Sequence, residues 1–401
     1  MEGGVTKEIR RRGDRLQSLP GGPHGVAPLW NTRWNLHVPG VASMTDTNTT
    51  PPKRWMIYGA NGYTGALIAR EAARRGLAPV LAGRNREAVE ALAAELRLEA
   101  RVFGLDAADT VVAQIQDQSL VLNCAGPFSA TAAPMMEACL AAGVSYLDIT
   151  GEIAVLEWAQ SQGERAKAAG VVLCPGVGFD VIPTDCVAAA LKAVLPDATE
   201  LALGFDSRSA ASPGTAKTSV EGLAGGGKVR RDGRIVTVPL ASEVRRIDFG
   251  DGEKDAMTIP WGDVATAYHT TGIPNIRVFV PASLRLIARA RRANWVRPLL
   301  GLGWVQRLIQ SRIARTVRGP SAAQREATHT YVWGEVTNAQ GARKTARIRT
   351  ANGYSLTVDG ALYVVGHVLG GTPAPGAYTP ARLLGPELVS RLPGSGAMVI
   401  E

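Results

Sequence analysis

The 401-residue sequence predicts an α/β protein: a doubly wound parallel sheet, then a second α+β domain with a mostly antiparallel sheet. Three observations predict it. Strand-like and helix-like stretches alternate from residue 54 to residue 174. The opening strand runs into three glycines spaced three apart, Gly59, Gly62 and Gly65, and a helical pattern follows them. Past about residue 197 the rhythm changes to runs carrying Thr, Val, Tyr and Trp, separated by turns such as Arg231-Asp232-Gly233. Alternation of the first kind gives a right-handed, mostly parallel sheet covered on both faces.

Taken in order, residues 54–58 read as a strand and 63–75 as a helix closed by Arg74, Arg75 and Gly76, a good C-terminal signal. Residues 79–82 form the next strand, and 85–97 a helix whose apolar spacing is Val89, Leu92, Leu96. A strand at 100–105, a weak helix at 109–116 and a strand at 119–124 continue the alternation. A helix at 130–142, a strand at 144–149, a helix over 152–169 and a strand at 170–174 complete it. Later strands are expected at 199–206, 234–240, 244–249, 276–280, 328–337 and 343–350, the last two as a hairpin around Ala339-Gln340-Gly341. Helical periodicity returns at 354–369. The expected division is therefore a first domain over 54–197, a second over 198–350, and a terminal helix and tail, 351–401, packing back on the first. Residues 1–53 stand apart, with Arg10 to Arg12, a Pro/Gly stretch at 20–28 and the polar string TDTNTTPPK. They are expected to be disordered, or to precede a true start at Met44; the rival is an Arg-rich transit peptide.

Composition limits the function. Cys124, Cys139, Cys174 and Cys186 form no C-x-x-C pair and have no histidine at finger spacing, so buried reduced thiols in a cytoplasmic protein are expected, with no metal site. The net charge is +9, and residues 283–318 hold nine arginines and no acid, which equals the whole excess. A chain basic all over, as a nonspecific nucleic-acid binder is, is thereby excluded.

The glycine turn is the first chemical signal. Such a strand-to-helix turn lets backbone N–H groups approach a pyrophosphate, aided by the positive end of the helix. Gly59 permits the tight turn, Gly62 the close approach and Gly65 the strand–helix packing. Asn61, Tyr63 and Thr64 belong to the same cradle. This is the dinucleotide fingerprint of a Rossmann-type domain, in the required place after the first strand. At the end of the second strand an NAD-binding protein usually carries an acid for the ribose hydroxyl. Here the chain reads Gly83, Arg84, Asn85. A guanidinium suits a 2′-phosphate, so NADP(H) is favoured; the alternative is an ordinary surface arginine. Asp106 after the third strand, and Asn123, Cys124, Ala125, Gly126, Pro127 and Phe128 after the fourth, are expected along the dinucleotide. So are Gly151 and Glu152 after the fifth, while the loop after the sixth carries Asp180. Ligands bind at such carboxyl ends near the switch point.

Rival chemistries fail. A short-chain dehydrogenase needs Tyr with Lys four residues on, but Tyr146, Tyr268 and Tyr331 are followed there by Thr150, Gly272 and Glu335. No G-x-S-x-G elbow and no G-x-x-x-x-G-K-[ST] loop is present. The motifs GANGYTG, LAGRN, VLNCAGPF, YLDITGE and GFDVIPTD, over roughly 54–187, together resemble the saccharopine dehydrogenase-like family of NADP-binding reductases. SPGTAKTSVEGLAGG and YTPARLLG are similar to its bacterial trans-acting enoyl reductase branch. The resemblance implies an NAD(P)-binding Rossmann domain, a mixed α/β substrate domain, and hydride transfer. The expected substrate is an enoyl, imine or carbonyl group on a hydrophobic or carrier-bound molecule. Proton-donor candidates are Asp180, Tyr268, His269 and Lys217; Lys217 could instead hold a carboxylate or phosphate. The alternatives are saccharopine reductase proper, which needs paired anion anchors, and a non-catalytic nucleotide-binding protein at a lipid surface.

The basic segment 283–318 is the second signal. Pro298 and Gly301-Leu302-Gly303 break it into two helices. From 304 on, Trp304, Val305, Leu308, Ile309 and Ile313 share about half the circumference, with Arg307 and Arg318 opposite and Arg312 intruding. This composition suits a peripheral contact at the inner face of a membrane or with an acidic carrier. It equally suits a helix pair packed on the protein with a solvated arginine face.

Overall fold

The computed structural model describes residues 53–401 apart from 210–211, 213, 215–224, 301, 317–318 and 372, and apart from the side chains of 298–300, 307, 310 and 313–315. The expectations for residues 1–52 and for Lys217 lie outside the described residues.

Strands β1 (Trp55–Tyr58), β2 (Val80–Gly83), β3 (Ala100–Val102), β4 (Leu120–Asn123), β5 (Ser145–Asp148) and β6 (Val172–Cys174) alternate with helices. These are α1 (Tyr63–Arg74), α2 (Arg86–Leu96), α3 (Ala108–Ile115), α4 (Phe128–Ala142), α5 (Ile153–Ser161) and α6 (Gly163–Ala169). The single helix expected over 152–169 is two. Its chain breaks at Gln162, whose side chain and that of Ser161 both bond the Trp158 carbonyl. Helix α7 (Ile182–Val194) leads into β7 (Ala198–Ser207), the hairpin β8 (Gly227–Arg231)–β9 (Arg234–Val238), and β10 (Val244–Asp248) with β11 (Glu253–Thr258). Then come α8 (Asp263–Thr271), β12 (Asn275–Pro281), α9 (Leu284–Leu300), α10 (Gly303–Thr316) and α11 (Ala322–Glu326). Strands β13 (His329–Asn338) and β14 (Arg343–Ala351), helix α12 (Gly353–Gly370), β15 (Gly376–Ala377), α13 (Pro380–Leu384), α14 (Leu388–Arg391) and β16 (Val399–Ile400) end the chain.

The predicted class holds. The first sheet runs β15-β6-β5-β4-β1-β2-β3, parallel throughout, with Tyr58 level with Asn123 and Met56 with Val80. Strand order reverses between β1 and β4, so a crevice opens at their carboxyl ends. The strands are buried on both faces, as parallel strands must be. One face packs on Met135, Met136, Cys139 and Ile115; the other on α1 and on Ala361, Leu362, Val365 and Val368 of α12. The second sheet runs β10-β11-β12-β7-β13-β14-β16, with β8 hung on β12; β7 and β12 are parallel and the other pairs antiparallel.

Helix α7 is the joint between the layers. Nine of its thirteen residues are buried, so it is apolar nearly all round and shows no amphipathic period in the sequence. It packs with Leu201, Leu203, Val332, Val336 and Ile348 of the second sheet and with Leu356 and Leu388. All four cysteines are free and buried.

Candidate dinucleotide and proton-transfer site

The turn after β1 is built by close approach. Gly59 has φ +77°, and a Cβ there would lie 2.6 Å from the Ala125 amide nitrogen. A Cβ on Gly65 would lie 2.4 Å from the Gly59 carbonyl oxygen. A side chain at Gly59 would force the β1 and β4 loops apart, and one at Gly65 would push α1 off the β1 turn. Gly62 differs: its Cβ would meet only the Gly59 oxygen, at 3.3 Å, and the residue is exposed. Gly62 also serves as the N-cap of α1, which has no side-chain cap and no acid in its first turn. The orphan N–H groups of that turn, at Tyr63, Thr64 and Gly65, face a bare backbone cradle fit for a pyrophosphate. Asn61 lies with its amide oxygen against Gly83.

Tyr63 behaves differently from its neighbours. Its hydroxyl donates to the Pro320 carbonyl (2.5 Å), Arg325 donates to it (3.0 Å), and its ring meets Tyr354 edge-on. Its side chain ties the turn to the second domain, which leaves its amide for a ligand.

At the end of β2, Arg84 is exposed and forms no ion pair among the described residues. Most neighbouring arginines, Arg54, Arg70, Arg74, Arg75, Arg86 and Arg101, hold carboxylates. Asn85 is occupied locally: its side chain accepts from the Ala88 amide and caps α2. Burial raises the pKa of Tyr58, with Arg84 opposing and Asp106 reinforcing that shift, which places both side chains around one end of the crevice. The exposed Asp106 folds back toward Gly104.

Beneath the β4 loop lies a polar network that the sequence reading missed in part. Asn123 is fully buried, donates to Tyr146 Oη (3.2 Å) and accepts from the Ala125 amide (3.0 Å). Tyr146 donates to Asp148 (2.8 Å), and Asp148 accepts from the amides of Thr150 and Gly176. Burial pushes the Asp148 pKa up to about 6 against those bonds. The chain of contacts fixes three loops at the carboxyl ends of β4, β5 and β6. Cys124 contributes backbone, its thiol buried and its pKa raised. Gly126 and Pro127 are joined by a cis bond, and the half-buried Glu152 accepts from the amides of Phe128 (2.8 Å) and Ser129 (2.6 Å), capping α4.

Asp180 stands at the far side of the crevice. A Cβ on Gly151 would lie 3.0 Å from its carboxylate, so the two loops touch. The residue is partly exposed, yet burial alone raises its pKa to about 7. Its carboxyl has no hydrogen-bond partner among the described residues; only its carbonyl is held, by Trp261 Nε1 at 3.0 Å. Beside it the buried Phe179 meets the buried Phe205 edge-on, and Phe205 meets the half-buried Trp261 at a tilt. A carboxyl poised near neutrality next to an aromatic wall can move a proton to an apolar substrate.

The other donor candidates lie elsewhere. His269 contacts Glu157 (3.2 Å), and Arg230 packs over the Tyr268 ring at 4.1 Å. Arg230 also donates to the carbonyls of Val264 and Gly233 and pairs with Glu157. Burial opposes the charge of Glu157, but His269 and Arg230 outweigh it and hold its pKa below the ordinary value. Tyr268 and His269 thus belong to a structural cluster between α5, α8 and β8, and the structure does not bring them to the crevice loops.

Sequence reasoning gave no hint of Asp263. It is fully buried at the start of α8, with neither carboxylate oxygen bonded among the described residues. Burial raises its pKa strongly, and nearby Asp185 and Asp180 add to this. The native state therefore holds its proton above the pH at which the unfolded chain releases it. That stabilisation is complete below the ordinary carboxylate pKa and is lost as pH rises toward the folded value, by about 1.4 kcal/mol per pH unit. Asp263→Asn should make this slope shallower above the ordinary carboxylate pKa in denaturant titrations, leaving the part that other buried carboxyls such as Asp148 and Asp180 contribute. An unchanged slope would show the carboxyl to be ionised in the fold.

These elements define a dinucleotide-binding Rossmann domain joined to a mixed-sheet domain. Residues 55–174 match the model of the saccharopine dehydrogenase NADP binding domain family. The chain is 32% identical over 154 residues to the human saccharopine dehydrogenase-like oxidoreductase, covering 33% of this chain and 36% of that protein. It is 31% identical over 147 residues to a Mycobacterium tuberculosis protein named as a trans-acting enoyl reductase, 34% of this chain and 35% of that one. The matches thus span little more than a third of these relatives' length. Apo saccharopine dehydrogenase (L-Glu forming) from Saccharomyces cerevisiae shares the fold, with a TM-score of 0.57 at 11% identity over 87% of this chain and 100% of that one.

Proposed function

We propose that the protein is an NADP(H)-dependent oxidoreductase that reduces an enoyl, imine or carbonyl group on a hydrophobic or carrier-bound substrate. One observation carries it: a turn with no side-chain cap and an Arg84 with no ion pair among the described residues flank one side of a crevice whose other side presents the Asp180 carboxyl, with no hydrogen-bond partner among them. The nicotinamide, when bound, supplies the hydride. Amides of Tyr63, Thr64 and Gly65 hold the pyrophosphate, and Arg84 holds the 2′-phosphate. The Gly126-Pro127 loop, kept in place by Asn123 and Glu152, lies along the dinucleotide. Asp180 delivers the proton that complements hydride addition. The aromatic wall of Phe179, Phe205 and Trp261 supports an apolar substrate.

The test is NADPH oxidation, followed by absorbance, with panels of enoyl thioesters, cyclic imines and long-chain carbonyls. Turnover with one panel and not with glutamate plus aminoadipate semialdehyde is expected. NADPH binding without turnover on any panel would leave a nucleotide-binding protein and overturn the reductase reading.

A further inference from the structure

Helices α9 and α10 remain outside the redox site. The inner face of α9 is anchored: Ile287 packs with Ala241 and Ala282, Asn294 bonds the Leu240 amide and carbonyl, and Arg291 reaches the Ala241 carbonyl. These positions recur every three or four residues and form one stripe. The opposite face is exposed among the described residues. Arg285, Arg289, Arg292 and Val296 lie on it, while Leu284, 69% exposed, and Trp295, 89% exposed, project from its flank. On α10, Trp304 and Leu308 project one turn apart, both more than 60% exposed, with Arg312 exposed one turn further on. None of the described arginines here, Arg285, Arg289, Arg291, Arg292, Arg297 and Arg312, pairs with a carboxylate among the described residues. No acid occurs anywhere in 283–318.

We propose that this helix pair docks the protein on the surface of an anionic phospholipid bilayer. Charge complementarity selects the occupant. The segment holds the whole net charge of the chain, and its guanidinium groups match phosphate geometry. Tryptophan and leucine exposed among arginines suit the headgroup–acyl boundary. No helix among the described residues is long and apolar enough to cross a membrane, so the contact is peripheral. The inference is independent of the redox reading.

The experiment uses the full chain with phosphatidylglycerol–phosphatidylcholine vesicles and with phosphatidylcholine vesicles, in low and high salt. Co-sedimentation with the anionic vesicles only, weakened by salt, is expected. The triple variant Arg285→Glu, Arg289→Glu, Arg292→Glu should lose at least about tenfold in partitioning. The double variant Trp295→Ser, Trp304→Ser should also lose affinity, together with the blue shift of tryptophan emission seen on anionic vesicles. Thermal melts matching wild type show that either variant is folded; if one fails, the other still decides. Absence of wild-type binding to anionic vesicles at low salt would overturn the proposal. So would binding that both variants retain, or capture by an acidic carrier protein or RNA without vesicle binding.

Discussion

Arg84→Ala should weaken NADPH binding by about 10- to 100-fold and leave NADH binding unchanged. A charge-assisted hydrogen bond contributes about 1.5–3 kcal/mol, and every 1.4 kcal/mol is about tenfold in Kd. Arg84 is well placed to give that full difference, because no carboxylate competes for it among the described residues. A paired arginine such as Arg70, bonded through two nitrogens to Glu95, would first have to release its partner. Calorimetric titration of both coenzymes against both proteins checks this. Equal wild-type affinities for the two coenzymes, or a loss shared equally by both, would remove the 2′-phosphate contact.

Asp180→Asn should lower kcat by about 10²- to 10⁴-fold, the usual contribution of a placed general acid, without weakening NADPH binding. The pH dependence is the sharper readout. Burial raises this carboxyl to about 7, so it carries its proton below that pH and loses it above. Reduction should be level on the acid side and fall by about tenfold per pH unit on the basic side until another donor takes over. The asparagine variant should lack that descending limb. The folded protein holds this proton more tightly than the unfolded chain, so the same residue favours the fold at low pH and ceases to do so as pH passes about 7. A variant that keeps both the wild-type rate and its limb would move the proton transfer to another group.

Much of the nucleotide half was legible because its constraints are local. A glycine that must avoid Ala125, or a strand buried on both faces, leaves its mark within a few residues of sequence. Arg84 was legible for the same reason, as one position at one strand end. Helix α7 was not, since its burial on all sides erases the period that would announce it. Strands β8 and β11, written GKVRR and EKDAMT, were masked by their charged residues, of which Arg230 is buried but held by Glu157 and the Val264 carbonyl. The proton-transfer candidates show the limit most plainly. Asp180, Tyr268 and His269 were equivalent as residue types, and only the fold separates an unpartnered carboxyl from a tyrosine under Arg230. Asp263 becomes noticeable only once packing buries its carboxyl beside Thr184, Asp185 and Asp180.

Tyr63 has a consequence for how the two surfaces communicate. It begins the helix that receives the nucleotide, yet its hydroxyl is held by Pro320, four residues past the end of α10, and by Arg325. If filling the turn displaces that ring, the foot of the arginine-rich pair moves with it. Linkage then runs both ways with one factor: vesicles would change coenzyme affinity by the ratio in which coenzyme changes attachment to vesicles.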